Sequence, residues 1–333
     1  HGFEIVAQLL DHSCVFLTLT TPSRMHKCLK SGRHNKKFDG TSPSEAQEHL
    51  NQLWARMRAQ FARDGVQPYG FRIAEPHHDQ TPHWHFLLFA PSDELKLINK
   101  IMRRHALSVD GTEKGAAVHR YKTIDIDLEN GSAAGYIAKY ISKNIDGEHL
   151  EEDLLGNPAM EAAEAIATWA SNHNIRQFQQ IGGPSVTVWR ELRKLRTPLE
   201  NETAEKARLA ADSGDWAAYV LAQGGVHKKS SERPIKPFYK HIKAADIESG
   251  EVFNFTHSSY GDLRQKPIRG LRVEGNVVYT RAFVWSENRL LIPLEAEQFT
   301  PALDAVQSVV NCSEASGTWT CVNNCTERSI SVN

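Results

Sequence analysis

At 333 residues, 40% hydrophobic and with a mean hydropathy of −0.47, the chain has the balance of a soluble globular protein with room for more than one domain. No apolar run approaches a membrane span, and a net charge of −1 argues against a uniformly basic coat for long duplexes. The charge is uneven: residues 1–145 hold 19 Lys/Arg against 15 Asp/Glu and eleven of the 16 histidines, a local excess that suits a short strand of nucleic acid.

The opening His1-Gly2-Phe3 has no initiator Met and is not a signal peptide; it reads as the edge of a fragment with sequence upstream. Cys14-Val-Phe-Leu-Thr-Leu-Thr20 is β-branched and aromatic-rich and predicts a buried strand ending at Thr21-Pro22-Ser23. Arg24 to Gly40 is basic and turn-rich, a surface loop. From Ser42 to Arg63 the apolar positions Leu50, Leu53, Trp54, Met57 and Phe61 recur at helical spacing, and Asp64-Gly65 closes the helix. Tyr69–Glu75 and His83–Phe89 predict two strands joined by the loop from Pro76 to Pro82. A helix over about 92–107, an alternating strand over 121–127 and a helix over 132–144 follow. Broken helices are expected near 159–173, 185–197 and 202–222. After Gly224-Gly225 a basic, Pro-containing stretch leads into short strand-like runs near 251–256, 268–274 and 277–285, and the Ser/Thr/Asn-rich tail from Ser313 has no periodicity. Cysteines at 14, 28, 312, 321 and 325 make an odd count without a framework spacing; free thiols in a reducing cytoplasm are the simpler reading than a zinc site.

Two segments carry chemistry. Side chains alternate along a strand, so His83 and His85 share one face while Trp84, Phe86 and Leu88 pack on the other. Across the hairpin, Glu75 has the parity to add a carboxylate to the same point. Two nitrogens and one oxygen leave open positions on a divalent ion, as a catalytic site requires. His77, His78 and Asp79 read as loop polar residues. A bare His-x-His is a weak signal, and the second segment strengthens it. At about 100° per residue, Tyr136, Lys139, Tyr140 and Lys143 fall on the arc opposite Ala134, Ile137, Ala138 and Ile141. Core-filling tyrosines would lie on the apolar arc. Positions i and i+4 are neighbours, so both hydroxyls reach one place, each with a lysine three residues on. A phenol has a pKa near 10 and needs a cation or metal beside it to act as a nucleophile at neutral pH. The competing readings of this helix are a solvated face or a stacking platform for bases.

Three stretches in order, Phe16-Leu-Thr-Leu-Thr-Thr-Pro-Ser23, Glu75-Pro-His-His-Asp-Gln-Thr-Pro-His-Trp-His85 and Tyr136-Ile-Ala-Lys-Tyr-Ile-Ser-Lys-Asn-Ile-Asp-Gly147, resemble the HUH endonuclease superfamily, specifically rolling-circle replication initiators of the bacteriophage replication gene A protein type. Residues 175–192 resemble the same phage subgroup. The resemblance covers about residues 1–200. It implies an α+β fold with a central antiparallel sheet flanked by helices, a ferredoxin- or RRM-like palm with the His strand in its middle. It implies an endonuclease domain with appended helices over 1–200; beyond it the residue pattern predicts a helical linker over 201–225, a small β-rich region over 226–312 and a disordered tail over 313–333.

The implied activity is site- and strand-specific nicking of single-stranded or locally melted DNA at a replication origin, through a 5′-phosphotyrosine that frees a 3′-hydroxyl. Tyr136 and Tyr140, with Lys139 and Lys143, would be catalytic. His83, His85 and Glu75 would hold Mg²⁺ or Mn²⁺, with Glu75 inferred from register because the third ligand varies across the superfamily. Arg176 and Lys143 would contact DNA. Host helicase or replisome proteins are the expected partners, no membrane is involved, and the expected location is the cytoplasm of a bacterial host. A relaxase or transposase of the same superfamily, and a non-catalytic single-strand-binding module, are the alternatives.

Overall fold

The computed structural model describes residues 1–127, 132, 133, 135, 159–240 and 267–281. The chain divides into two compact units, one of residues 1–185 and 199–236, the other of 186–198 and 237–333.

The first unit is built on a five-stranded antiparallel sheet. Its strands are β1 (Ser13–Leu19), β2 (Tyr69–Pro76), β3 (Pro82–Ala90), β4 (Tyr121–Ile126) and β5 (Phe178–Ile181), in the order β4-β1-β3-β2-β5. Helix α2 (Pro43–Asp64) links β1 to β2, and α3 (Ser92–Ala106) with the one-turn α4 (Ala116–His119) links β3 to β4. The β1-α2-β2-β3-α3-β4 succession with order 4-1-3-2 is the ferredoxin-like split βαβ arrangement, and it leaves β3 flanked on both sides.

Local chemistry sets these elements. Ser42 caps α2 through a reciprocal box, its hydroxyl accepting from the Glu45 amide at 3.3 Å and its amide donating to Glu45 Oε2 at 2.8 Å. Pro43 fits the first turn, and Gly65 at φ 73° ends the helix in the left-handed region. The predicted bounds of α2 and α3 fall within a residue of the observed ones: cap, breaker and apolar period agree in α2, and in α3 the apolar period runs between an acidic first turn and a basic last turn.

Each face of the sheet carries its own core. On one, Leu17, Trp84, Phe86 and Leu88 pack against Leu50, Trp54 and Met57 of α2, Ile98 and Met102 of α3, and Trp169 of α5 (Ala159–Asn172). Trp84 is fully buried; its indole N–H donates to Gln47 Oε1 at 3.0 Å and the Arg72 guanidinium lies over its ring at 3.9 Å. Burial lowers the Arg72 pKa to about 10, with Arg176 adding repulsion. On the other face Phe16, Tyr69, Ile73, Leu87 and Phe89 meet α1 (Gly2–Leu9) and α8 (Trp216–Ala222). Gly70, at φ 146°, permits close approach of β2 and β3, since a Cβ there would lie 1.9 Å from the Leu87 carbonyl oxygen.

Several short elements escaped the sequence reading. Helix α1 is a single amphipathic patch with no side-chain cap, β5 has only four residues, and β6 (Ile235–Tyr239) is interrupted by Pro237. The helix expected over 202–222 is two, α7 (Glu202–Ser213) and α8, because Gly214 takes φ 81° and Asp215 caps the second through the Ala218 amide at 2.9 Å. The helix expected over 185–197 is shorter, α6 (Val186–Leu192).

In the second unit α6 accompanies a hairpin of β7 (Ile268–Val273) and β8 (Asn276–Tyr279), part of a three-stranded sheet ordered β6-β7-β8. Glu274 and Gly275, at φ 47° and 94°, form its two-residue turn. The buried Glu191 carboxylate accepts from Lys194, Thr280 and Arg281. Burial alone would raise its pKa, but these donors hold it below the usual carboxylate range. The run expected at 251–256 and the tail from Ser313 lie outside the described residues.

Candidate metal centre

The antiparallel register places Glu75 of β2 directly opposite His83 of β3, and Thr18 of β1 opposite His85. Alternation then puts Glu75, His83 and His85 on the sheet face that carries α1 and α8. Their ligating atoms lie within 4.8 Å of one another. His85 Nε2 is 2.9 Å from His83 Nε2 and 3.7 Å from Glu75 Oε2. Ligands at roughly 2.0–2.2 Å from a shared ion stand about 3–3.5 Å apart, so the donor set fits one divalent cation with small side-chain adjustment. Two neutral imidazoles and a carboxylate would leave part of the coordination sphere to substrate oxygens and water. Glu75 and His85 are buried, at 2% and 7% exposure, whereas His83 is half-buried and forms the open side.

The surroundings fix these rings. Thr18 Oγ1 lies 3.1 Å from His85 Nδ1, and when Nδ1 donates to it, Nε2 keeps its lone pair for a metal. Phe16 stacks on His85 at 5.4 Å and 18°, and His77 stacks on His83 at 4.0 Å and 24°. Behind His77, His26 approaches edge-on at 5.1 Å. Its Nδ1 is 3.2 Å from Asp79 Oδ2 and its Nε2 3.0 Å from Thr21 Oγ1. Burial works to raise the Asp79 pKa, but His26 and the Thr81 donors hold the carboxyl far below its usual range.

Glu75, His83 and His85 are thus brought together as the register argument anticipated. His77, His78 and Asp79 stay outside the ligand set. Thr18, Thr21 and His26 had drawn no attention as site residues. Thr18 and Thr21 stood in a recognisable stretch, but their pairing with imidazoles depends on β1 lying beside β3, which no local pattern states. Tyr136, Lys139, Tyr140 and Lys143 lie outside the described residues. Just before them, the Ala133 amide donates to Glu4 Oε1 of α1 at 2.7 Å, and Ala133 is buried on the same sheet face as the triad. Arg176 is exposed ahead of edge strand β5; its carbonyl accepts from Arg72 at 2.9 Å and its Nε donates to the Phe178 carbonyl at 3.1 Å.

Among the described residues no helix is long and apolar enough to cross a membrane. No solved structure matches the chain. It is 39% identical over 332 residues to the "Replication protein" of Haemophilus phage HP1, covering 97% of this chain and 40% of that protein. It is 42% identical over 252 residues to the "Replication gene A protein" of Escherichia phage 186, covering 72% of this chain and 36% of the relative. A "Probable replication endonuclease from prophage-like region" of Salmonella typhimurium is 33% identical over 344 residues, covering 97% and 39%. The chain therefore spans about two fifths of the length of these relatives. Residues 1–148 match the family described as bacteriophage replication gene A protein.

Proposed function

We propose that this chain is the nicking and rejoining module of a phage replication initiator of the HUH type, acting on single-stranded or locally melted DNA. The observation that carries the reading is the convergence of Glu75, His83 and His85 on one point, with Glu75 and His85 buried and His83 half-buried. The names of the relatives, two replication proteins and a probable replication endonuclease, support it.

When bound at the triad, Mg²⁺ or Mn²⁺ supplies Lewis-acid polarisation and charge neutralisation for the scissile phosphate. The nucleophile is a tyrosine of the 136–140 pair. Its phenol loses a proton to solvent and its oxygen bonds to phosphorus as the P–O3′ bond breaks. The departing oxygen takes up a proton and becomes the 3′-hydroxyl that primes synthesis. One phosphoester replaces another, so rejoining needs no nucleotide energy. Lys139 and Lys143 offset phenolate and phosphate charge, and Lys143 and Arg176 contact the DNA. Tyr140, between the two lysines, makes the first cut, and Tyr136 takes the second transfer.

A denaturing gel of the chain mixed with single-stranded oligonucleotides and Mn²⁺ tests this. We expect a covalent adduct whose trapped peptide carries DNA on Tyr140. Tyr140→Phe should lose the adduct, while Tyr136→Phe keeps it and fails at strand transfer. DNA on Tyr136 in the wild type would reverse the order. Cutting by both Phe variants with no adduct would remove the covalent mechanism.

A further inference from the structure

The segment between β1 and α2 contains a structured element that the proposed chemistry has not used. Residues 27–37 hold Lys27, Lys30, Arg33, Lys36 and Lys37 and no acidic residue, and all five cations are exposed. Among the described residues none of them forms an ion pair. Neighbouring Arg24 differs, being held between Asp39 and Asp110. Five like charges within eleven residues repel one another, and no described carboxylate pairs with them.

This is a built hairpin. The Leu29 amide donates to the Arg33 carbonyl at 2.8 Å, Cys28 and His34 form a bridge, and the Asn35 amide donates to the Lys27 carbonyl at 2.9 Å. Gly32, at φ 79°, makes the turn. Buried Asn35 fastens the base, its Nδ2 donating to the carbonyls of Ser23 at 2.7 Å and His26 at 2.8 Å.

The hairpin docks on the turn that carries the triad. The Cys28 amide donates to Asp79 Oδ2 at 3.4 Å, and His78 Nε2 donates to the Leu29 carbonyl at 3.1 Å. That turn is closed by the His77 amide donating to the Thr81 carbonyl at 2.8 Å, and its His77 ring lies on His83. The hairpin that carries the cations is therefore anchored on the residues that join the two ligand-bearing strands.

We infer that hairpin 27–37 is a phosphate clamp for a DNA single strand, gripping the backbone next to the phosphodiester held at the triad. The inference rests on the proposed nuclease reading for its partner. A row of five cations with His34 as its one aromatic ring recognises the polyanionic backbone more than sequence.

The test compares the full chain with the triple variant Lys30→Ala/Arg33→Ala/Lys36→Ala. Binding of a labelled mixed-sequence single strand is followed by anisotropy over a range of salt, in EDTA. Each phosphate contact contributes about 0.7 to the salt slope for single strands. The triple variant should lose about 2 of that slope and roughly tenfold or more in affinity at low salt. Its Mn²⁺ affinity should stay at the wild-type value. The exposed set Arg56→Ala/Arg58→Ala/Arg63→Ala on α2, which packs on the sheet's other face, should change binding little.

A wild-type slope and affinity in the hairpin variant would overturn the clamp. So would an equal loss in the α2 variant, a preference for duplex of the same length, or no wild-type binding at low salt. Adduct formation on the same oligonucleotide with Mn²⁺ reports separately on the nuclease reading. A normal adduct with an inert hairpin sinks only the clamp, and single-strand binding through the hairpin without an adduct sinks only the chemistry.

Discussion

The face of the sheet that carries the triad holds two histidine clusters. At one, Glu75, His83 and His85 turn a carboxylate and two ring nitrogens toward a common point. At the other, His12 Nδ1 lies 3.1 Å from the Tyr69 hydroxyl, and the His12 and His227 rings sit 6.1 Å apart against Tyr69. The difference is what the nitrogens meet. In the triad the carboxylate is 3.7 Å from His85, and Thr18 occupies the nitrogen that faces away. In the second cluster a phenol takes up the imidazole, and burial lowers the His12 pKa, with His227 adding repulsion. Histidines in number do not make a metal site; orientation by one outer hydrogen bond, and a carboxylate in register, do.

Removing nitrogens from each cluster breaks this comparison most sharply. His83→Ala or His85→Ala should abolish Mn²⁺ binding and DNA cleavage while the fold stays intact, because packing of β3 rests on Trp84, Phe86 and Leu88 on the other face. Calorimetric metal titration and the adduct gel read the two effects. The double variant His12→Gln/His227→Gln should retain both. Normal nicking in either triad variant at ordinary metal concentrations would remove the ligand assignment, and loss of metal in the distal variant would erase the contrast.

Glu75→Ala comes next. It deletes one donor of three and leaves both imidazoles, so metal affinity should fall by about 10–100-fold, comparable to or above the loss on removing an outer-shell partner. Cleavage should recover at high Mn²⁺. An unchanged titration would take Glu75 out of the site.

That carboxylate also marks how far the sequence could be read. Strand parity and a hairpin of fixed register made Glu75, His83 and His85 legible as a set, because both relations are local. The ferredoxin-like core was legible for the same reason in α2, whose cap and apolar stripe agree, and in α3, whose apolar stripe runs between charged end turns. What joins distant segments was not. Thr18 reaches His85 only because β1 pairs with β3, and Asp79 is buried only because the 26–35 segment folds over its turn. Hairpin 27–37 read as a loop because its order comes from Asn35 and backbone bonds, with no hydrophobic period to announce it. Edge strand β5 was lost among four residues whose described strand partner is β2.

Thr18→Val sharpens the comparison by making the triad more like the distal cluster. It keeps the shape and removes the acceptor that orients His85. Metal affinity should drop about tenfold, the lower end of the range for outer-shell partners, and Thr18→Ser should restore it. An unaltered affinity in Thr18→Val would mean that Phe16 stacking alone sets the ring.

The smallest effect belongs to the distal cluster and is read in stability. A histidine whose folded pKa lies below its unfolded value of about 6.5 binds fewer protons in the fold than in the unfolded chain. Its contribution is therefore fully present above about pH 6.5 and is lost as pH falls toward the folded pKa. For His12 burial is the largest cause, His227 repels in the same direction, and Glu94 and Asp11 oppose them. His227 is exposed, so solvent screens its own share and the slope falls mainly to His12. The urea midpoint of the wild type should decline between pH 7 and 5.5, and His12→Gln should decline less over the same window. Parallel curves would show that His12 is hydrated in the fold as it is in the unfolded chain, and the electrostatic half of the contrast between the two clusters would fall with it.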